Sequence, residues 1–541
     1  MGSSHPAPAS IRAALVLGTA AAGAYALAAS VRLGAQGLQY DELHQAVGAF
    51  AWCGRPPAPF FISASAFGLP VLSMSYTGAI KTAFYGLYLR LTGLPFTPVS
   101  WRGLGIAIVA LALVLLCLLG RRSSRLTMGI LVTLLLSDAS ILLLTRHDFG
   151  PVALAFSLRL LLIGVWLDAS PLEAPGRRHA FALGLLTGVA SFEKLSSAVL
   201  LIPLAILVLG DPRFRDRVRL TWCAAGLALG FSPLVAVNVA SFRAGGSLIS
   251  LSDATFALPS LARIDSVWGY VSLGAGRDPA LFCLGATVPF ACSLVEGLAL
   301  VVAAMLCVAG GSGALTRDRW PRLYVASWVG AGLGLAFLPH DEVLSYHWIV
   351  GTPFQYVAIA LCVALPAARP GGGGAAGRPT PRQVALGAVL AVLLLNRLVV
   401  MSGVVGWLAE GRAAPAFDPD LNRLGAFVAR QGDDVTFVAA TWGVATSIYS
   451  FSNGREGVVS EPYWSYSGPG DLERATSGRR VFYVVSTVPP SEVSPESTRR
   501  IVRDAGVLPG WTAASAEPEL ASLHALLVTK YVRSSDSFPG G

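Results

Sequence analysis

Apolar runs of membrane-crossing length, separated by short loops rich in arginine, recur through residues 1–410 and then stop. A helix rises 1.5 Å per residue, so about 20 apolar residues cross the hydrocarbon core of a bilayer. The pattern predicts spans near 11–33, 102–120, 126–145, 150–168, 218–240, 286–310, 322–338, 348–366 and 383–408. The run 179–210 is too long for one span and carries Glu193 and Lys194 at its middle. It reads as two short helices meeting at a polar break, where irregular backbone is tolerated only if protein or water satisfies it. Gly78 to Thr92, apolar but holding Lys81 and Arg90, is too short to cross and suits an interfacial helix in the first outer loop. The expected fold is an α-helical polytopic membrane domain over 1–410, with about eleven transmembrane helices.

Past residue 410 the period changes. Val435 to Trp442, Val481 to Thr487 and His524 to Val532 read as strands, and Asp420 to Gln431 and Ser497 to Ala505 as helices. A small α/β domain is therefore expected over 411–541.

Composition supports the membrane reading and removes another. The chain is 54% hydrophobic and only 13% charged, with a mean hydropathy of +0.61, against about 25% charged in a soluble globule. A net charge of +9 would suggest nucleic acid in a soluble protein. Here the arginines cluster in short loops: Arg121 to Arg125, Arg177-Arg178, Arg213 to Arg219, Arg317 to Arg322 and Arg369 to Arg382. All five fall on one side of the predicted topology, which the positive-inside rule makes cytoplasmic together with the N-terminus. The basicity is topology, and no nucleic-acid partner is expected. Ala26-Leu27-Ala28 fits a signal-peptidase pattern, yet Arg12 alone makes a poor basic leader, so the first span is expected to stay as an anchor. The seven cysteines lie mostly inside apolar spans and suggest neither a disulfide framework nor a zinc site. Gly371 to Gly374 reads as a flexible linker, since no strand precedes it and no Gly-Lys-Ser follows.

The opposite, outer face receives the candidate chemistry. Tyr40-Asp41-Glu42-Leu43-His44 follows the first span directly, and acidic side chains at a bilayer edge are costly. His147-Asp148, Glu193-Lys194, His340-Asp341-Glu342 and the C-terminal domain share that face. Transfer of a group from a membrane-embedded donor needs a base for the acceptor and cations for a phosphate leaving group. The acids are Asp41, Glu42, Asp148, Asp341 and Glu342; Lys81, Arg146, His147, Lys194, His340 and His347 are the cationic or proton-donating candidates. Plainer readings stand beside these. An Asp-Glu pair at a helix end also suits a solvated boundary, Lys194 can pair with Glu193, and Trp442-Gly443 reads as a packed turn. His340, Asp341, Glu342 and His347 are spaced as metal ligands can be, or as an ordinary polar loop.

In chain order come the Asp-Glu pair, Tyr-Thr-Gly-Ala-Ile-Lys (76–81), Arg102 opening a span, Arg-His-Asp-Phe-Gly-Pro (146–151), Phe-Glu-Lys (192–194) and His-Trp-x4-Pro-Phe (347–354). This order resembles the bacterial branch of the GT-C membrane glycosyltransferases, similar to protein O-mannosyltransferases and the lipid A aminoarabinose transferase. The resemblance covers residues 1–210 well and the later spans loosely. It implies a GT-C fold in a bacterial inner membrane, a polyprenyl-phosphate sugar as donor, and inverting transfer to a glycan, lipid or protein acceptor on the outer face. It makes Asp41 the catalytic base with Glu42 beside it, and Asp148 a group that orients the acceptor or a metal. Lys194 and Lys81, with Arg146 and His347, would hold the donor phosphate, and His44, His147 and His340 would line the acceptor pocket. The resemblance implies no definite cofactor, and a divalent metal at Asp41 and Asp148 stays open because the second loop carries one acid rather than an Asp-x-Asp pair and Glu193 stands before Lys194. The alternative is a transporter or flippase of lipid-linked glycans, which also uses broken helices and intramembrane charge.

Overall fold

The computed structural model describes residues 10–55, 62–170, 175–251, 264–309, 319–337, 344–364, 380–488 and 495–534. The expectations for His340, Asp341, Glu342 and Gly371 to Gly374 lie outside these residues. The chain divides into two compact units. The first holds residues 1–31, 75–78 and 103–410; the second holds 32–74, 79–102 and 411–541.

The first unit is helical, and a helix stands at each predicted position. Among the described residues seven helices are long and apolar enough to cross a bilayer: Ile11–Ala29, Pro98–Arg122, Val152–Ala169, Arg217–Gly245, Phe290–Val308, Ser345–Ala364 and Pro381–Glu410. The predicted span 126–145 is a pair, Arg125–Leu136 and Ala139–His147, bent by 62°. Asp138 makes the bend. Its Oδ1 accepts from the N–H groups of Ser140 (2.9 Å) and Ile141 (3.0 Å), capping a new helix where one helix would otherwise continue. Its Oδ2 accepts from the Tyr356 hydroxyl at 2.5 Å. Beside it Arg397 pairs with Glu296 (Nη2 to Oε1, 2.5 Å) and donates from Nη1 to the Leu134 carbonyl at 2.8 Å. All these side chains are buried. A charge at this depth is tolerated because it is paired and hydrogen-bonded on every side.

The run 179–210 breaks as predicted. Helix Arg177–Glu193 ends, Lys194 is extended, a 3-10 turn covers Leu195–Leu200, and helix Leu201–Gly210 follows. Arg177–Glu193 packs on Arg217–Gly245 along two facing Gly-x3-Gly pairs, Gly184/Gly188 and Gly226/Gly230. A Cβ on Gly184 would meet the Cys223 carbonyl oxygen at 1.9 Å, and one on Gly226 the Phe181 carbonyl oxygen at 2.1 Å. Backbones approach this closely only where side chains are absent, which is how helices associate in lipid without a hydrophobic driving force. Gly226→Val therefore costs on the order of 3 kcal/mol and is expected to abolish monodisperse protein in size-exclusion chromatography. Gly129→Val, where a Cβ meets nothing within 4 Å, is the tolerated control.

The second unit joins the C-terminal residues to the segments on either side of 75–78. Strands Val435–Ala439, Val481–Thr487 and Leu526–Arg533 match the predicted ones. The sheet runs Val459–Ser460, Val435–Ala439, Val481–Thr487, Leu526–Arg533, Trp511–Ala514; the first three strands are parallel and the last two pairings antiparallel. Helix Pro495–Gly506 covers one face through Ile501 and Ala505, against Val438, Phe482 and Val484. The same unit holds helices Tyr40–Val47 and Ile80–Thr92 and a hairpin of Ala64–Ala66 with Leu69–Met74. Backbone and side-chain bonds tie these to the sheet domain: Gly37 N–H to Phe417 O (2.8 Å), Asn422 Nδ2 to Gln36 O (2.9 Å) and Phe96 N–H to Asn453 Oδ1 (2.7 Å). The C-terminal residues are thus the base on which the Asp41 helix is mounted.

Candidate active site

In the second unit, helix Tyr40–Val47 opens with Gln39, whose Oε1 accepts from the Asp41 N–H at 2.6 Å. Asp41 and Glu42 are neighbours in sequence but about 100° apart around a helix, and that separates their fates. Glu42 is fully buried in a two-point ion pair with Arg102: Nε to Oε1 at 2.7 Å and Nη2 to Oε2 at 2.9 Å. The same guanidinium donates to the carbonyls of Leu33, Gln36 and Gly37. Glu42, expected beside the base, is instead an anchor: a carboxylate enclosed with its guanidinium fixes the helix and is closed to a substrate. Asp41 is half-buried. Lys81, in helix Ile80–Thr92, is buried with Nζ 3.7 Å from the centre of the Trp101 ring, and Thr82 beside it donates to the Gln45 carbonyl at 2.6 Å.

The Trp442-Gly443 turn packs against this helix. The rings of Tyr40 and Trp442 lie 4.4 Å apart, and the Tyr40 and His44 rings meet edge to face at 5.1 Å. Gly443 has φ 95° and brings its backbone against the Tyr40 side chain, where a Cβ would lie 3.5 Å from the Tyr40 Cβ. Glu461 stands in the same cluster, its Oε1 buried without a hydrogen-bond partner. Burial pushes the Glu461 carboxyl up to about 7, against a bond from the Gly443 N–H that lowers it. Burial, then the nearby Glu461, also raises the Tyr40 phenol. Because the folded form holds the Glu461 proton more tightly than the unfolded chain, its stability is full below the ordinary carboxyl range and falls as pH rises towards about 7. Glu461→Gln removes that dependence. The melting temperature of the variant at pH 8 is expected to exceed that of the wild type by on the order of a few degrees, with the gap closing at pH 5.

In the first unit the helix Ala139–His147 ends at Asp148, which adopts the left-handed conformation (φ 48°). Its Oδ1 accepts from the Ala153 N–H at 2.7 Å and so caps helix Val152–Ala169. Arg146 and His147 bond to backbone and to each other. Arg146 donates from Nε to Ala29 O and from Nη2 to Val31 O, both at 2.8 Å, and so closes the C-terminal end of helix Ile11–Ala29. His147 Nδ1 lies 2.8 Å from the Leu143 carbonyl, which can only accept, so its proton sits there and Nε2 takes the Arg146 N–H at 3.2 Å. Both side chains are fully buried.

Lys194 lies at the broken helix. Nζ donates to the Gly150 carbonyl (2.5 Å) and to the Tyr346 carbonyl (3.3 Å), with the Tyr346 ring centre 4.6 Å away. Its backbone forms a bridge with Thr77, and Leu195 N–H donates to Tyr76 O at 3.0 Å. Gly78 permits that approach, since a Cβ there would lie 2.8 Å from the Phe192 carbonyl oxygen. Loop 148–151, the break at Lys194 and the helix Ser345–Trp348 therefore converge on one cation. His347 is half-buried in that helix, its ring 4.2 Å from that of Tyr346 and its Nδ1 accepting from the Leu344 N–H at 3.2 Å. Among the described residues no three of His, Cys, Asp and Glu come together as a metal-ligand set. Arg102, Tyr346 and Glu461 are the parts of these clusters that sequence reasoning did not assign. Arg102 was visible as a charge opening an apolar span; Tyr346 and Glu461 carry no periodic signal.

No family model matches the sequence, and no curated protein matches it. Solved structures do. The chain is similar to the crystal structure of ArnT from Cupriavidus metallidurans bound to undecaprenyl phosphate, with a TM-score of 0.58 and 11% identity over 95% of this chain and 97% of that one. It is also similar to the arabinofuranosyltransferase AftD from Mycobacteria, with a TM-score of 0.52 and 14% identity over 99% of this chain and 40% of that one. At this level of identity the likeness is one of fold: the chain shares the fold of these two structures.

Proposed function

We propose that the chain is an inverting glycosyltransferase of the bacterial plasma membrane, moving a sugar from a polyprenyl-phosphate donor to an acceptor on the extracytoplasmic face, with the N-terminus cytoplasmic. Asp41 takes the proton of the acceptor hydroxyl. That oxygen forms the new bond to the anomeric carbon while the bond from carbon to phosphate oxygen breaks, and the lipid phosphate leaves with the electron pair. Lys194 and Lys81 neutralise the charge that develops on it. The observation that carries the reading is the position of Asp41, half-buried in the first turn of a helix that the fully buried Glu42–Arg102 pair holds in place. Asp148 contributes by ordering the loop that presents Gly150 to Lys194, and His44 by packing on Tyr40. ArnT was crystallised with undecaprenyl phosphate, which supports a lipid phosphate as the donor's carrier here.

Proteoliposomes loaded with labelled polyprenyl-phosphoryl sugars test this against translocation. The enzyme reading expects label to leave the lipid for an acceptor or water, with polyprenyl phosphate released. Movement of intact donor between leaflets without cleavage would replace it by the flippase.

A further inference from the structure

A cavity of about 350 Å³ opens in the membrane unit between the segments around Trp268 and Tyr346. The steps above do not use it. Its walls are aromatic, with Trp268, Phe282, Tyr346 and Trp348. Arg277 and Asp278 are exposed residues on its lining. Ser293 also lines it, 2% exposed, with its Oγ buried and bonded to nothing; the Trp268 indole N–H is in the same condition.

We propose that this cavity receives the glycosyl ring of the donor, an inference that rests on the reading of Lys194 as the phosphate cation. A monosaccharide has flat C–H faces that pack on aromatic rings and an edge of hydroxyls that must be hydrogen-bonded. The cavity offers both kinds of surface, whereas an isoprenoid or acyl chain would leave Ser293 and the Trp268 N–H unsatisfied. Its size is at the lower end of ligand cavities, about 300–1,000 Å³, and fits one sugar rather than a chain of them.

Position makes the ring the donor's. In a glycosyl phosphate the anomeric carbon is bonded directly to a phosphate oxygen, so the ring's pocket must adjoin the cation that holds the phosphate. Tyr346 belongs to both: it lines the cavity, and its carbonyl and ring contact Lys194 Nζ. Phe149, next to the Gly150 carbonyl that Lys194 grips, packs on two wall residues, Phe282 at 4.8 Å and Tyr346 at 4.6 Å.

The test measures binding of bare undecaprenyl phosphate and of polyprenyl-phosphoryl mannose, glucose and arabinose to the full chain in nanodiscs. Wild type is compared with Trp268→Ala and with the smaller change Ser293→Ala. Wild type is expected to bind one of the glycosylated lipids at least about tenfold more tightly than the bare lipid, a difference of about 1.4 kcal/mol. Both variants lose that margin while their affinity for the bare lipid stays within about twofold. A margin retained in Ser293→Ala and Trp268→Ala, or absent in wild type, overturns the proposal and leaves the phosphate site standing. A variant that keeps the margin but raises the KM for acceptor in the transfer assay assigns the cavity to the acceptor and overturns it equally. Failure of wild type to bind even the bare lipid removes the reading of Lys194, and this inference with it.

Discussion

Asp41→Asn is expected to lower glycosyl transfer by roughly 10²–10⁴-fold, the range that a positioned general base contributes, and to leave the protein folded. Asparagine keeps the shape of the side chain and loses its charge and its ability to take a proton. Two contacts that hold the helix at this point are made by the backbone of residue 41 and survive the change, from Asp41 N–H to Gln39 Oε1 and from Gln45 Nε2 to the Asp41 carbonyl. The anchor next door, Glu42 on Arg102, does not involve residue 41. Transfer from a labelled donor, measured beside the melting temperature, checks both halves. A variant as active as wild type removes Asp41 from the mechanism; one that is inactive and unfolded calls for Asp41→Glu, which should keep the fold and part of the rate.

The second large effect is on donor binding. Lys194→Met deletes the cation at the helix break while keeping the length of the stem and the backbone bridge to Thr77. A hydrogen bond to a charged group is worth about 1.5–3 kcal/mol, so undecaprenyl phosphate should bind roughly ten- to a hundredfold more weakly. The Gly150 and Tyr346 carbonyls that lose the Nζ contact are loop and turn acceptors, and the variant is expected to stay assembled. An unchanged dissociation constant for the bare lipid would move the phosphate site elsewhere, with Lys81 as the next residue to replace.

Most of the architecture was legible because hydropathy and period carry it. Val481–Thr487 is legible to both ends, a run dominated by β-branched and aromatic residues that two arginines precede and that Val488 and two prolines follow. The break at Lys194 was legible because a charge pair in the middle of an apolar run leaves few alternatives. The bend at Asp138 was missed for the opposite reason: one acid in a run of leucines hardly changes the mean hydropathy, yet its side chain caps a new helix. The facing Gly-x3-Gly pairs were present in the sequence, but which helices they join is a matter of tertiary packing.

The site was legible in residue types and not in roles. Nothing in Asp41-Glu42 says which carboxylate is buried, because Arg102 lies 60 positions away and meets Glu42 only in the fold. Arg146 and His147 stand beside Asp148 in sequence, and only the fold shows that they also bond to the carbonyls of Ala29, Val31 and Leu143. The division between 1–410 and 411–541 had the same limit. Sequence locates the sheet domain, but residues 32–74 and 79–102 join it through long-range contacts that no local pattern encodes.

The most direct measurement is the anomeric configuration of the transferred sugar, read by NMR on the product of the purified protein with a polyprenyl-phosphoryl sugar of known linkage. Single displacement with Asp41 as base predicts an inverted anomeric centre in all of the product. Retention would require a covalent or otherwise double displacement and would contradict the assignment of Asp41.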